Sequence, residues 1–331
     1  MRPDLSDQKS QRDVGPQEPI VTGEFGLIDW VRSRTRPGAQ TALGIGDDCA
    51  LLRVSPGAEV LATTDMLIEG RHFDFDDATP EQIGFKALAV NLSDIAAMAG
   101  IPRFALIALA LPRGRAVELA QRVFAGLKPL AERFGVDLVG GDTNAWDGPL
   151  VISVTLLGET TAQGAVRRSG AKPGDLIVVT GPLGGSLLGR HLRPEPRVEE
   201  ALALHKIAKL HAMIDLSDGL ASDLAHILDE SGSPGATLNA DAIPIHADAE
   251  TLASRDGRTP LDHALNDGED FELCFTIHPD DAGLLIDQRP AHLTLSLIGT
   301  IDETPGLRLR VSGEVVPLAA QGFDHLKPDH S

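Results

Sequence analysis

Several short stretches of the chain set carboxylates beside glycine or hydroxyl residues: Gly46-Asp47-Asp48, Thr63-Thr64-Asp65, Asn91-Leu92-Ser93-Asp94, Gly140-Gly141-Asp142-Thr143-Asn144 and Asp215-Leu216-Ser217-Asp218-Gly219. Carboxylate and hydroxyl oxygens are hard ligands, which suit Mg²⁺ far better than zinc or copper. An aspartate is costly to bury unless it is paired or metal-bound. Taken singly, each stretch is explained by the preference of aspartate for turns and helix N-caps. An N-cap accounts for one of Asp215 and Asp218, but not for both. Taken together, they predict a shared multi-metal centre, the chemistry of handling a polyphosphate.

Other motifs are weaker. Gly181-Pro182-Leu183-Gly184-Gly185-Ser186 fits neither G-x-G-x-x-G nor G-x-x-x-x-G-K-[ST], so a tight turn before a helix is the plainer reading than a phosphate cradle. Arg168, in Arg167-Arg168-Ser169, has the fork that clamps a phosphate, although linker arginines are commonly solvated. His72 follows Asp65 closely without the HExxH pattern of a zinc site, and no G-x-S-x-G elbow supports acyl transfer. Trp146 reads as a ring-stacking residue or, equally, as part of a surface loop.

The elements that must position these residues alternate between helix and strand. Glu24–Arg34 reads as an amphipathic helix, and Val60–Thr64 as a strand that delivers Asp65 at its end. Thr79-Pro80-Glu81-Gln82 carries the signature of a capping box with proline at the first helical position. The helix it starts presents Phe85, Leu88, Leu92 and Ile95 on one face, with Asn91 and Asp94 on the adjoining one. Strand Phe104–Leu111, helix Arg115–Phe134 and strands Val136–Val139 and Val151–Leu157 complete a first unit. A second begins with strand Asp175–Thr180, followed by helices near Val198–Leu210 and Ser217–Glu230 and strands Leu293–Ile298 and Leu307–Val311. The Gly-, Ser- and Arg-rich stretch Thr160–Ala171 marks the boundary. The expected organisation is a polar tail over residues 1–21, a first domain over 22–160 and a second over 161–331, both mixed α/β.

Composition narrows the function. The formal net charge of −19 argues against nucleic acid as partner and would repel a phosphorylated substrate unless a divalent cation lay between them. Two cysteines, Cys49 and Cys274, form no disulfide framework, which fits a reduced cytoplasmic setting. No apolar run reaches the ~20 residues of a membrane span.

As a set, the motifs resemble the thiamine-monophosphate kinase family, within the superfamily of aminoimidazole ribonucleotide synthetase, selenophosphate synthetase and HypE. The matching blocks include Gly44-Ile45-Gly46-Asp47-Asp48, Glu69-Gly70-Arg71-His72-Phe73, Lys86-Ala87-Leu88-Ala89-Val90-Asn91-Leu92-Ser93-Asp94, Arg168-Ser169-Gly170-Ala171-Lys172-Pro173-Gly174-Asp175 and Gly268-Glu269-Asp270-Phe271-Glu272-Leu273. The resemblance implies transfer of the γ-phosphoryl group of ATP to thiamine monophosphate. It implies Mg²⁺ ligands at Asp48, Thr63, Thr64, Asp65, Asp94, Asp142, Asp215 and Asp218, and nucleotide contacts at Gly141, Arg168 and Ser217. Substrate contacts are implied at His72, Glu269 and Phe323, and a homodimer in which the first domains build a shared β-barrel. The alternatives are another ATP-dependent enzyme of the superfamily or a non-catalytic nucleotide- or metal-binding relative. The chain departs from the family pattern at Asp267, where glycine is expected. It also lacks tyrosine, so Phe271 and Phe323 fill aromatic positions.

Overall fold

The helix that begins at Pro80 organises the molecule. The Gln82 amide donates to the Thr79 hydroxyl and the Thr79 amide to the Gln82 side chain, so the predicted capping box forms. In this computed structural model, which describes residues 21–320, the first half of the chain runs α1 (Gly23–Arg34), β1 (Thr41–Leu43), β2 (Leu51–Leu52), β3 (Val60–Ile68), α2 (Pro80–Ala97), β4 (Ile101–Pro112), α3 (Ala116–Phe134), β5 (Asp137–Trp146) and β6 (Val151–Glu159). Residues 1–20 of the expected tail, and Phe323, lie outside the described residues.

β3, β6, β4 and β5 form a four-stranded sheet in that order, antiparallel except for the β4–β5 pair, whose crossover is α3. α2 and α3 cross on one face of it. They approach so closely that a Cβ at Gly84 would lie 2.0 Å from the Val123 carbonyl oxygen, and one at Gly126 1.9 Å from that of Glu81. The other face leaves Val60 and Met66 exposed.

The second half contains β7 (Leu176–Thr180), α4 (Val198–Ile207), β8 (Leu210–Asp215), α5 (Leu220–Glu230), β9 (Gly235–Asn239), α6 (Ala247–Asp256), α7 (Pro260–Asn266), β10 (Leu273–Ile277), α8 (Pro279–Gln288), β11 (Leu295–Asp302), β12 (Gly306–Val311) and β13 (Glu314–Pro317). Its seven-stranded sheet has the order β13-β12-β9-β11-β7-β10-β8. The fold class is therefore mixed α/β, as the alternation of patterns predicts.

α2 is buried on nearly every side, against the single apolar face expected of it. It packs on β3 and β6 of one sheet and on β8 and α4 beside the other, within a core that also takes in Leu204, Met213 and Phe275. Its alanines allow this close approach. Leu88 and Leu92, both fully buried, each contribute on the order of 2 kcal/mol through lost apolar surface. Side chains leaving α2 in the middle of the chain can thus reach groups from either sheet.

Candidate active site

β3 does not end before Asp65. It pairs with β6 from Val60 to Ile68, and Asp65 sits mid-strand opposite Val154. Alternation sends Thr63 and Asp65 toward α2. There the Thr63 hydroxyl donates to Asp94 Oδ2, and the Asp65 and Asp94 carboxyls lie close enough to raise the pKa of Asp65. One residue earlier on α2, the Ser93 hydroxyl donates to Asp215 Oδ2 at 2.7 Å, at the end of β8. Burial pushes the Asp65 carboxyl up to about 7, with the charges of Asp94 and Asp215 adding to it. Burial and Asp94 likewise hold Asp215 at about 7. Asp94 is raised by burial, against the hydrogen bonds it accepts and the nearby charge of Arg168. Three carboxylates from β3, α2 and β8 thus crowd one partly buried place, facing the Arg168 guanidinium.

The chain turns after β8 through Ser217-Asp218-Gly219, where Gly219 takes φ +106° and α5 follows. The Asp218 amide donates to Asp223 Oδ2 at 3.0 Å. Ligand atoms of Asp218, Asp223 and His226 all lie within 4.8 Å of one another. Burial and the Asp215 charge push Asp223 up to about 8. Sequence reasoning missed Asp223 and His226, although their three-residue spacing puts them on one face of a helix.

β5 continues through Asp142 to Trp146 rather than stopping at Val139. Asp142 pairs with Ala108, one position past the row of Asp65, Val154, Ile107 and Gly141, so Asp142 lies with Thr64 on the sheet face away from α2. The Thr64 hydroxyl donates to the Val154 carbonyl at 3.1 Å and accepts from Thr155. The structure therefore does not bring Thr64 and Asp142 to the Asp65–Asp94–Asp215 group. Instead Asp142 joins Asp48 and Gly141 along a cleft of about 720 Å³ between α1, the segment after β1, α3 and the β4–β5 pair. Glycine is required at 141, since its φ is +157° and a Cβ would lie 1.9 Å from the Ile107 carbonyl oxygen.

His72 and Glu269 meet through a residue the sequence did not single out. Lys86, fully buried on α2, donates from Nζ to Glu269 Oε2 at 2.7 Å and to the His72 carbonyl at 2.9 Å. His72 Nδ1 accepts from the Ile68 amide, which places the proton of a neutral ring on Nε2. The Ser217 carbonyl accepts from the Glu269 amide at 2.7 Å. Asp267, the family departure, accepts from Gly185 N and from Arg258, and Asp270 accepts from Gly184 N and from Arg190. The amides of the glycine-rich turn are thus taken by the protein's own carboxylates, which agrees with a tight turn there.

Comparison with known proteins follows this geometry. Residues 46–160 match the family described as AIR synthase related protein, N-terminal domain. The chain is 43% identical over 314 residues to thiamine-monophosphate kinase of Rhodopirellula baltica, covering 92% of this chain and 98% of that protein. It is 36% identical over 329 residues to that of Bacillus subtilis, covering 92% and 99%. Among solved structures, thiamine-monophosphate kinase from Stenotrophomonas maltophilia K279a superposes with TM-score 0.74 at 36% identity, covering 87% of this chain and 96% of that one. The structure described as AaThiL complexed with AMPPCP and TMP gives 0.71 at 32% identity, over 92% and 97%. With identity of this extent over nearly the full length of its relatives, the chain belongs to the thiamine-monophosphate kinase family.

Proposed function

We propose that this chain transfers the γ-phosphoryl group of ATP directly, in line, to the phosphate of thiamine monophosphate, giving thiamine diphosphate and ADP in an Mg²⁺-dependent reaction. The observation that carries the reading is the convergence of Asp65, Asp94 and Asp215 from separate elements onto one partly buried place. Like charges so placed call for a cation, and an all-oxygen donor set fits Mg²⁺. Asp65, Asp94 and Asp215 would hold it, with Thr63 beside them. Of the further ligands the family resemblance implies, Asp48 and Asp142 lie along the separate cleft, Asp218 lies with Asp223 and His226, and Thr64 faces the other side of the sheet. Bound there, Mg²⁺ would offset the repulsion between two anionic phosphates.

The chain's own groups supply the rest. Thr63 and Ser93 orient Asp94 and Asp215 by hydrogen bonds. Arg168 brings positive charge to the same place. The acceptor phosphate, with a second pKa of ~6, is largely ionised at neutral pH, so no strong general base is needed. The aspartates act as ligands and not as proton acceptors. The cleft lined by Asp48, Gly141 and Asp142 is the proposed ATP site. Of the other nucleotide contacts the resemblance implies, Arg168 lies near Asp94 and Asp215, and Ser217 follows β8. His72 and Glu269 receive the acceptor. That AaThiL is described with AMPPCP and TMP supports this pair of substrates.

In this reading the chain divides into two domains near residue 160 and acts as a homodimer. The exposed Val60 and Met66, on the sheet face away from α2, suit burial against a second copy in a shared barrel. Light scattering tests the dimer. Among the described residues no helix is long and apolar enough to cross a membrane. The functional test is incubation with ATP, Mg²⁺ and thiamine monophosphate, with free thiamine as control. Stoichiometric thiamine diphosphate and ADP from the monophosphate alone support the reading. MgATP binding without product would move it to another acceptor or a non-catalytic relative.

A further inference from the structure

The segment Asp267–Glu272 carries an unusual density of acid, and each carboxylate has its own cation. Asp267 meets Arg258 and His263, Asp270 meets Arg190, and Glu272 meets Arg197 in a two-point contact. Glu269 meets Lys86 at 2.7 Å. The pairs differ in exposure. The Asp267, Asp270 and Glu272 side chains are 6%, 2% and 8% exposed, whereas that of Glu269 is 24% exposed. Only Glu269 keeps a substantial carboxylate surface available to a ligand. Among the described residues its Oε2 is engaged by Lys86, and no hydrogen bond reaches Oε1.

The Glu269 backbone is held in a demanding conformation, with φ +62° in a non-glycine residue, and Phe271 has φ +51°. Such a conformation is strained and persists only where the surroundings enforce it. The Glu269 and Phe271 amides donate to the Ser217 and Leu216 carbonyls, which fixes the backbone. Among the described residues the side chain is held by Lys86 alone. The same ammonium donates to the His72 carbonyl, so one buried residue spans the segment after β3, the centre of α2 and the acidic segment before β10.

We infer that Lys86 is the positioning residue of the acceptor site. It holds the Glu269 carboxylate oriented toward a cationic or amino-bearing heterocycle, and ties the Glu269 segment to the His72 backbone. This rests on the kinase reading above and gives that site its recognition chemistry. A lysine that merely filled space would affect both substrates alike. One that acts through Glu269 affects the acceptor selectively, and only while Glu269 is a carboxylate.

The experiment is a double-mutant cycle in the full chain with Lys86→Met, Glu269→Gln and the pair, reading KM for thiamine monophosphate and for MgATP together with Tm. Each single variant should raise KM for the monophosphate by about tenfold or more, with KM for MgATP within about twofold. Lys86→Met should add little once Glu269 is glutamine. Because each single variant strands a partly buried charge, the pair should recover Tm. Equal KM changes for both substrates, or additive effects, overturn the proposal. If the wild-type chain makes no thiamine diphosphate, the kinase reading falls. The positioning role is then tested by amide exchange in Lys86→Met: faster exchange over both 69–73 and 267–272 supports it, and unchanged exchange overturns it.

Discussion

Ser93 and Asp215, separated by 122 positions in sequence, meet through a 2.7 Å hydrogen bond in which the serine hydroxyl donates to Oδ2. The bond joins the middle of α2 to the end of β8 and holds Asp215 in a place where a bare carboxylate is unfavourable. An unfolded aspartate ionises near 3.8, whereas folded Asp65 and Asp215 keep their protons up to about 7. The stability these groups contribute is therefore complete below about 3.8 and is lost as pH rises to about 7. In chelator, Tm should fall across that interval. Mg²⁺ should restore it more strongly at alkaline than at acidic pH, where protons compete for the ligands. Asp215→Asn should raise the chelator-treated Tm above wild type at alkaline pH and abolish the Mg²⁺ response. A wild-type Tm insensitive to Mg²⁺ at alkaline pH would sink the assignment.

Asp94 is placed to have the largest catalytic effect. It accepts from Thr63, lies beside the Asp65 carboxyl and is within electrostatic reach of Asp215 and Arg168. Asp94→Asn should lower turnover on the order of 10²-fold or more, as does the loss of other preorganised charge stabilisation. The Tm of the metal-free variant should not fall, because a destabilising charge has been removed. Near-normal turnover in a single-turnover assay would show that Asp94 holds no essential cation.

The chemistry was legible in the sequence where it depended on residue type. Carboxylates beside hydroxyls announced hard-cation chemistry, and the Thr79–Gln82 box announced the start of α2. What was not legible depended on distant partners. Asp65 and Asp142 were placed beyond strand ends because Thr64 and Val139 looked like termini. Pairing with β6 and β4 carries both strands onward, and that pairing is set across the sheet rather than locally. The same pleat then separates Thr64 from Thr63. Lys86 stands in a matching block, but no role for it was legible, because only the packing of α2 between two sheets buries it beside Glu269. Which carboxylate of Asp267, Glu269, Asp270 and Glu272 stays open to a ligand was not legible either, because Arg190 and Arg197 lie far away in sequence.

Glu159, at the end of β6, offers a test of the scaffold that is independent of the site. Burial works against its charge. The Ser55 amide and hydroxyl, at 2.9 and 2.8 Å, and Arg103, at 2.9 and 2.6 Å, outweigh that and hold its carboxyl at about 2. A depressed value means stability that is present above the ordinary 4.5 and is lost as pH falls toward about 2. Glu159→Gln should cost about 3 kcal/mol at neutral pH. Urea titrations should show the difference from wild type shrinking once pH passes below about 4.5. A constant difference at all pH values would mean that packing, and not charge, ties Ser55 and β4 to Glu159.

Gly84 touches no candidate site residue, yet the site depends on it. A Cβ there would lie 2.0 Å from the Val123 carbonyl oxygen, which is rigid backbone of α3, so the two helices would have to separate. α2 carries Lys86, Ser93 and Asp94. Moving it would disturb the contacts to Glu269, Asp215 and Thr63 together. Gly84→Ala should therefore cost about 3 kcal/mol, the upper end of ordinary overpacking, and lower kcat as well. The control is Gly283→Ala on α8, where nothing lies within 4 Å of the added carbon. There the alanine should be neutral or stabilising by up to about 1 kcal/mol, because it restricts the unfolded chain without meeting a neighbour. Chemical denaturation of both variants, with turnover measured on the folded fraction, separates the outcomes. If Gly84→Ala proves as well tolerated as Gly283→Ala, the close crossing of α2 and α3 is not what fixes the site.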